Sequence, residues 1–245
     1  MGRRLKLMRI AGVDIYLHWT FWIAPIYIVY IARDFGDRVW LVTGVLIFLL
    51  LNLSFCVLLH ELGHVLMARR YGVTTKDIII TPIGGLARLT WMPKKPNQEF
   101  LISFAGPLVN LLIGAFLGVV VFLSGGSLLP SLSFDGLGQL PVIMLWVNLV
   151  LFLFNLIPAF PMDGGRMLRS VLARRMSYYR ATVIAGRSGQ LSAFLFSIYV
   201  LWEKHYLLVL IGLFVFISAR FEMKQARLSQ VSELGCDSIG SAGRF

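Results

Sequence analysis

The sequence predicts an all-α polytopic membrane protein of about six transmembrane helices, with a small interfacial β-hairpin or sheet on the cytoplasmic side. Three observations lead there. Of the 245 residues, 58% are hydrophobic and only 14% charged, whereas a soluble domain runs nearer half apolar and a quarter charged. Apolar stretches recur at lengths close to the roughly 20 residues that a helix needs to cross the hydrocarbon. The Lys and Arg residues gather in alternate connections between those stretches.

Taken in order, the candidate spans fall at 17–33, 40–68, 98–123, 139–160, 184–202 and 206–221. The basic start, Met1-Gly2-Arg3-Arg4-Leu5-Lys6, is followed by no small-residue cleavage site, so the first stretch is expected to be retained. The second is long enough to tilt or to project beyond the bilayer. Pro158 and Pro161 end the fourth, because each removes a backbone donor. Residues 73–91 are rich in Thr, Ile and Leu around Pro82 and Gly84-Gly85, which predicts a β-hairpin at the cytoplasmic interface. In 166–180, Met167, Leu168, Val171, Leu172 and Met176 recur at helical spacing with Arg between them, which predicts an amphipathic helix on the membrane surface. The Gly-rich segment 124–139 is expected to be an external loop and the polar tail 228–245 to be loosely ordered. With no internal repeat and no separate soluble stretch, residues 1–245 are expected to form one membrane-embedded domain with its core at 40–170.

Charge gives the orientation. Of the 23 Lys and Arg residues, 20 lie on one side of the alternating spans, leaving Arg33, Arg38 and Lys204 on the other. An even number of spans then puts both termini in the cytoplasm. The net charge of +11 does not argue for nucleic acid, because the positive residues follow the loops and no nucleic-acid motif accompanies them; anionic lipid is the expected partner. Cys56 lies in an apolar stretch and Cys236 in the tail, so no disulfide framework is expected.

The chemistry sits in the second span, at His60-Glu61-Leu62-Gly63-His64. Residues four apart on a helix are separated by about 400° of rotation, so His60 and His64 point the same way. Two imidazoles one turn apart grip a single zinc ion, and Glu61 is placed to act on water as general base. A catalytic zinc takes a third protein ligand and keeps one position open. The candidate is Asp163, in Asn155-Leu156-Ile157-Pro158-Ala159-Phe160-Pro161-Met162-Asp163-Gly164-Gly165. His60 lies roughly 13 Å of helix rise before Arg69, so both elements fall in the cytoplasmic half of the bilayer. Gly164 and Gly165 are expected to give the backbone freedom to turn the carboxylate inward.

These residues resemble the site-2 protease family of intramembrane zinc metalloproteases, peptidase family M50. The resemblance rests on His60-Glu61-x-x-His64, on Asn155-x-x-Pro158-x-x-x-x-Asp163-Gly164 and on Ala105-Gly106-Pro107-x-x-Asn110, with Leu17-His18-Trp19 and Gly84-Gly85 in support. It implies one zinc per chain held by His60, His64 and Asp163, water activated by Glu61, and Asn155 beside the metal steadying the tetrahedral intermediate. It implies substrates that span the membrane, such as anti-sigma factors or membrane-tethered regulators, and a prokaryotic plasma membrane as the setting. No counterpart of the regulatory PDZ or CBS modules of some members is expected within residues 1–245.

Blander readings stand beside these. An ionisable residue inside a span is costly to bury and is a functional residue by default, but Asp-Gly after a helix is also an ordinary turn. Asn155 has an alternative as an interhelical hydrogen-bonding group, the role expected of Asn110 and Asn148. His18 and His205 are expected to be interfacial. The same His-Glu-x-x-His cluster is also compatible with a metal transporter or sensor, or with an inactive relative that only binds membrane proteins.

Overall fold

The computed structural model describes residues 4–82, 84–93, 95–129 and 139–242. Strands β1 (Arg4–Ile10) and β2 (Val13–His18) lead into a short helix α1 (Ile23–Ala32) and the 32-residue α2 (Val39–Arg70). Strands β3 (Thr75–Thr81) and β4 (Gly84–Leu89) follow, then α3 (Pro96–Leu123), α4 (Leu140–Asn155), α5 (Asp163–Leu172), α6 (Tyr178–Trp202) and α7 (Val209–Ala242). The six candidate spans fall on α1, α2, α3, α4, α6 and α7. By length and composition, three helical stretches of the described residues suffice to cross a membrane, at Trp19–Arg70, Pro96–Leu123 and Tyr178–Trp202; Leu140–Asn155 is a shorter apolar helix. This is a mostly helical, multi-pass membrane protein carrying a small sheet.

The chain divides into two compact units, Met1–Met92 with Ala105–Leu153, and Pro93–Phe104 with Phe154–Phe245. In the first, a four-stranded sheet runs in the order β1-β2-β3-β4, with β2 and β3 parallel and the outer pairs antiparallel. The hairpin expected at 73–91 is there, as β3 and β4. The first two strands were not expected: residues 17 and 18, read as the opening of a span, end β2, and α1 is only ten residues long. Val13, Ile15, Ile78 and Ile80 on one face of the sheet pack with Leu58, Leu62 and Val65 of α2 in one buried cluster. Those α2 positions share one side of the helix, at spacings of four and three. The side opposite Leu62, about 200° round, is left for His60 and His64.

On its other face the sheet carries two aspartates in register, Asp14 beside Asp77. Each is matched by cations: Lys6 at 2.8 Å from Asp14, and Arg88 and Arg4 on Asp77. The hydrogen-bonded Arg88 guanidinium, ahead of its charge and that of Arg4, holds the Asp77 carboxyl below the usual carboxylate range despite its burial.

In the second unit, α6 and α7 pack through small residues. A methyl at Gly189 would stand 3.3 Å from Ala219 Cβ, and one at Gly212 would strike Ser197 Oγ. Small residues let helix backbones approach closely where lipid offers no hydrophobic drive between helices. Here the structure corrects three expectations. The amphipathic helix stops at Leu172, and Ser177 caps a new helix by accepting a hydrogen bond from the Arg180 amide. Arg169, expected on its polar face, is buried: Nε donates to Glu99 Oε1 at 2.7 Å, and the guanidinium lies over the rings of Phe160 and Tyr178 at 5.0 and 4.8 Å. The tail expected to be loose is helical through Ala242. Most of the expected external loop, 130–138, lies outside the described residues.

Candidate metal centre

Three of the expected site residues stand on one turn of α2. His60 and His64 are buried, and their Nε2 atoms face one another at 3.1 Å, with ring centroids 4.8 Å apart and planes nearly perpendicular. Two nitrogens at about 2.0–2.1 Å from a tetrahedral zinc would be separated by roughly 3.3 Å. The pair therefore has the bite of a chelate.

The space in front of that pair is kept clear by α3. A methyl built on Gly106 would stand 2.3 Å from His64 Nε2 and 2.7 Å from His60 Nε2. Gly106 thus leaves room where both lone pairs point. Within the motif, Gly63 does the matching work on α2: a methyl there would lie 2.7 Å from the Ala105 carbonyl oxygen. The two helices cross at glycines. Asn110, one turn after Gly106 and fully buried, places its Nδ2 3.1 Å from His60 Nδ1.

Glu61 is half-buried and turns toward the sheet, where Oε2 accepts the Ala87 backbone N–H at 2.9 Å. Strand β4 is at the edge of the sheet, and Gly85 brings it close: a methyl there would stand 2.6 Å from Glu61 Cγ. Sequence reading placed Glu61 beside the metal ligands but missed this strand contact, which joins residues 26 apart.

In the second unit, α4 ends at Asn155, and a turn containing a cis Phe160–Pro161 bond leads to Asp163, the buried first residue of α5. Gly164 and Gly165 are needed for closeness and not for freedom of rotation. Neither has a positive φ; a methyl on Gly164 would lie 2.3 Å from the Ile157 carbonyl oxygen, and one on Gly165 2.6 Å from the Phe160 nitrogen. The expectation of an unusual backbone there is replaced by a tightly packed first helical turn. The first unit thus offers two buried imidazoles, His60 and His64, and the second a buried carboxylate, Asp163; two imidazoles and a carboxylate are a donor set suited to zinc.

The pattern that defines peptidase family M50 matches residues 48–139 and 130–196. The chain belongs to peptidase family M50. It is 35% identical over 94% of its length to a zinc metalloprotease of Methanocaldococcus jannaschii and 31% identical over 94% to Rip3 of Mycobacterium tuberculosis. It spans 64% and 61% of those two proteins. The solved structure of a site-2 protease from Methanocaldococcus jannaschii superposes with a TM-score of 0.66 at 34% identity, covering 90% of this chain and 95% of that one. The fold is that of the site-2 proteases.

The remaining sequence-selected residues are accounted for locally. His18 caps the turn after β2, its Nδ1 2.7 Å from Thr20 Oγ1. Asn148 donates to Cys56 Sγ at 3.3 Å, the interhelical role expected of it. Asn110 bonds between helices as expected, but to a candidate zinc ligand.

Proposed function

We propose that this chain is a zinc-dependent intramembrane endopeptidase that hydrolyses peptide bonds within or near the transmembrane segments of other membrane proteins. The observation that carries the reading is the convergence of His60 and His64 Nε2 on a space that Gly106 keeps open. Family membership supplies the reaction class. His60, His64 and Asp163 are the ligands, in a single membrane-embedded protease domain; two imidazoles and one carboxylate are a donor set of catalytic zinc proteases. Bound zinc supplies positive charge that acidifies water and polarises a peptide carbonyl.

Glu61 takes a proton from water as the water oxygen attacks the carbonyl carbon, keeps it on the carboxyl, and delivers it to the leaving nitrogen as the peptide bond breaks. Asn155 donates its side-chain amide to the carbonyl oxygen as negative charge develops there. The edge of β4 offers an extended substrate segment a strand to pair with, next to the residue that handles the proton. The substrate is a membrane-spanning protein of the anti-sigma-factor or tethered-regulator class. The 20 to 3 distribution of Lys and Arg supports cytoplasmic termini in a prokaryotic plasma membrane.

The test is cleavage of tagged single-span anti-sigma factors in proteoliposomes, with wild type beside Glu61→Gln. The wild type is expected to cleave, and the variant to lose activity by about 10²–10⁴-fold while keeping its zinc. Cleavage by the variant at the wild-type rate would remove Glu61 from the mechanism.

A further inference from the structure

The proline-containing turn of α3 places two residues on one face, Gly106 and Asn110, four positions apart. Gly106 accounts for the open space before the two Nε2 atoms. Asn110 reaches the opposite nitrogen of one imidazole, with its side-chain amide 3.1 Å from His60 Nδ1. This asparagine has no exposed surface, and its Oδ1 is buried without a hydrogen-bond partner among the described residues. A buried amide oxygen left unbonded costs free energy.

A half-turn of the amide about its last bond exchanges Oδ1 and Nδ2 without moving the rest of the side chain. It brings Oδ1 against His60 Nδ1. An imidazole that ligates a metal through Nε2 carries its proton on Nδ1, and that N–H looks for an acceptor. The acceptor is then Asn110. Its one geometric requirement, contact between α2 and α3 at this level, is met by the glycine crossing of Gly63 against Ala105.

We propose that Asn110 is a positioning residue of the metal centre: its Oδ1 accepts the His60 Nδ1–H, fixing the tautomer and ring orientation that turn Nε2 toward zinc. The inference rests on the reading of His60 as a zinc ligand and deepens it. It also gives the Gly106-Pro107-x-x-Asn110 segment a physical role, as one turn that clears the metal's space and holds a ligand from behind.

The experiment is zinc affinity of the detergent-purified chain, stripped with a chelator and titrated with zinc against a competing chelator. Wild type, His60→Ala, Asn110→Ala and Asn110→Asp are compared. Asn110→Ala is expected to bind zinc about 10–100-fold more weakly than wild type. Asn110→Asp, of the same shape and with two acceptor oxygens, is expected to bind at least as tightly as wild type. Wild-type affinity in Asn110→Ala overturns the proposal. Where the alanine variant does not fold, Asn110→Asp decides alone: zinc bound more weakly than by wild type in that folded variant overturns the proposal. Zinc binding unaffected by His60→Ala would instead overturn the ligand assignment beneath it.

Discussion

In the second unit, Arg169 meets Glu99 and, at 3.6 Å, Glu222, while its guanidinium lies on Phe160 and Tyr178. In the first unit, His60 and His64 meet nitrogen to nitrogen, with a glycine where any other residue would fill the space ahead. Both are buried polar clusters, and ionisable groups held away from water are expensive. One brings opposite charges together and closes on itself. The other brings two like donors together and keeps a space in front of them. Self-neutralisation marks a group that holds the fold, and convergence on a cleared space marks a group that binds something from outside the chain.

That contrast breaks most sharply at Gly106. Gly106→Ala is expected to abolish zinc binding while the fold survives, because the methyl would stand 2.3 and 2.7 Å from the two Nε2 atoms. Metal analysis together with circular dichroism checks both halves. Retained zinc would mean that the space before the imidazoles is not the metal's place.

The ion pair should respond in the opposite way. Arg169→Met leaves the Glu99 carboxylate buried without its guanidinium and is expected to cost about 3–5 kcal/mol of stability. The added change Glu99→Gln should recover much of that loss, as read from unfolding in detergent. Neither change acts on the donors of the metal centre, so an effect confined to zinc affinity would contradict the structural role.

The smallest effect expected is at the sheet. Asp77 is held below its ordinary value of about 3.8, first by its hydrogen bond from Arg88. A depressed carboxyl pKa contributes stability that is fully present above the unfolded value and is lost as pH falls through the folded one. Stability should therefore decline below about pH 3.8, and less steeply in Asp77→Asn. Identical acid profiles would show that the Asp77–Arg88 pair adds nothing in the folded state.

Legibility in the sequence follows the same division. His60, Glu61 and His64 stand out because helical periodicity alone sets their mutual direction, and charged residues amid apolar ones are conspicuous. The hairpin at Gly84 was visible from Pro82 and the glycine pair beside it. Strands β1 and β2 were not, since Arg4 to Ile10 reads equally as a basic flank, and their place in the sheet depends on pairing β2 with β3, some 60 residues away. Glu99 and Arg169 are 70 residues apart, so no local spacing announces them, and Arg169 looked like one more residue of a solvated face. The glycines were seen but misread at Gly164 and Gly165: a sequence reports that a side chain is missing, and only packing reports which atom occupies its place.

The central claim is a zinc site completed by Asp163, and its most direct measurement is the metal content of the detergent-purified chain, with wild type beside Asp163→Ala. The account predicts about one zinc per chain in the wild type and its loss, or much weaker retention, in the variant. Zinc held equally well by both would remove Asp163 from the ligand set, and a wild type that takes up no zinc when supplied with it would contradict the account as a whole.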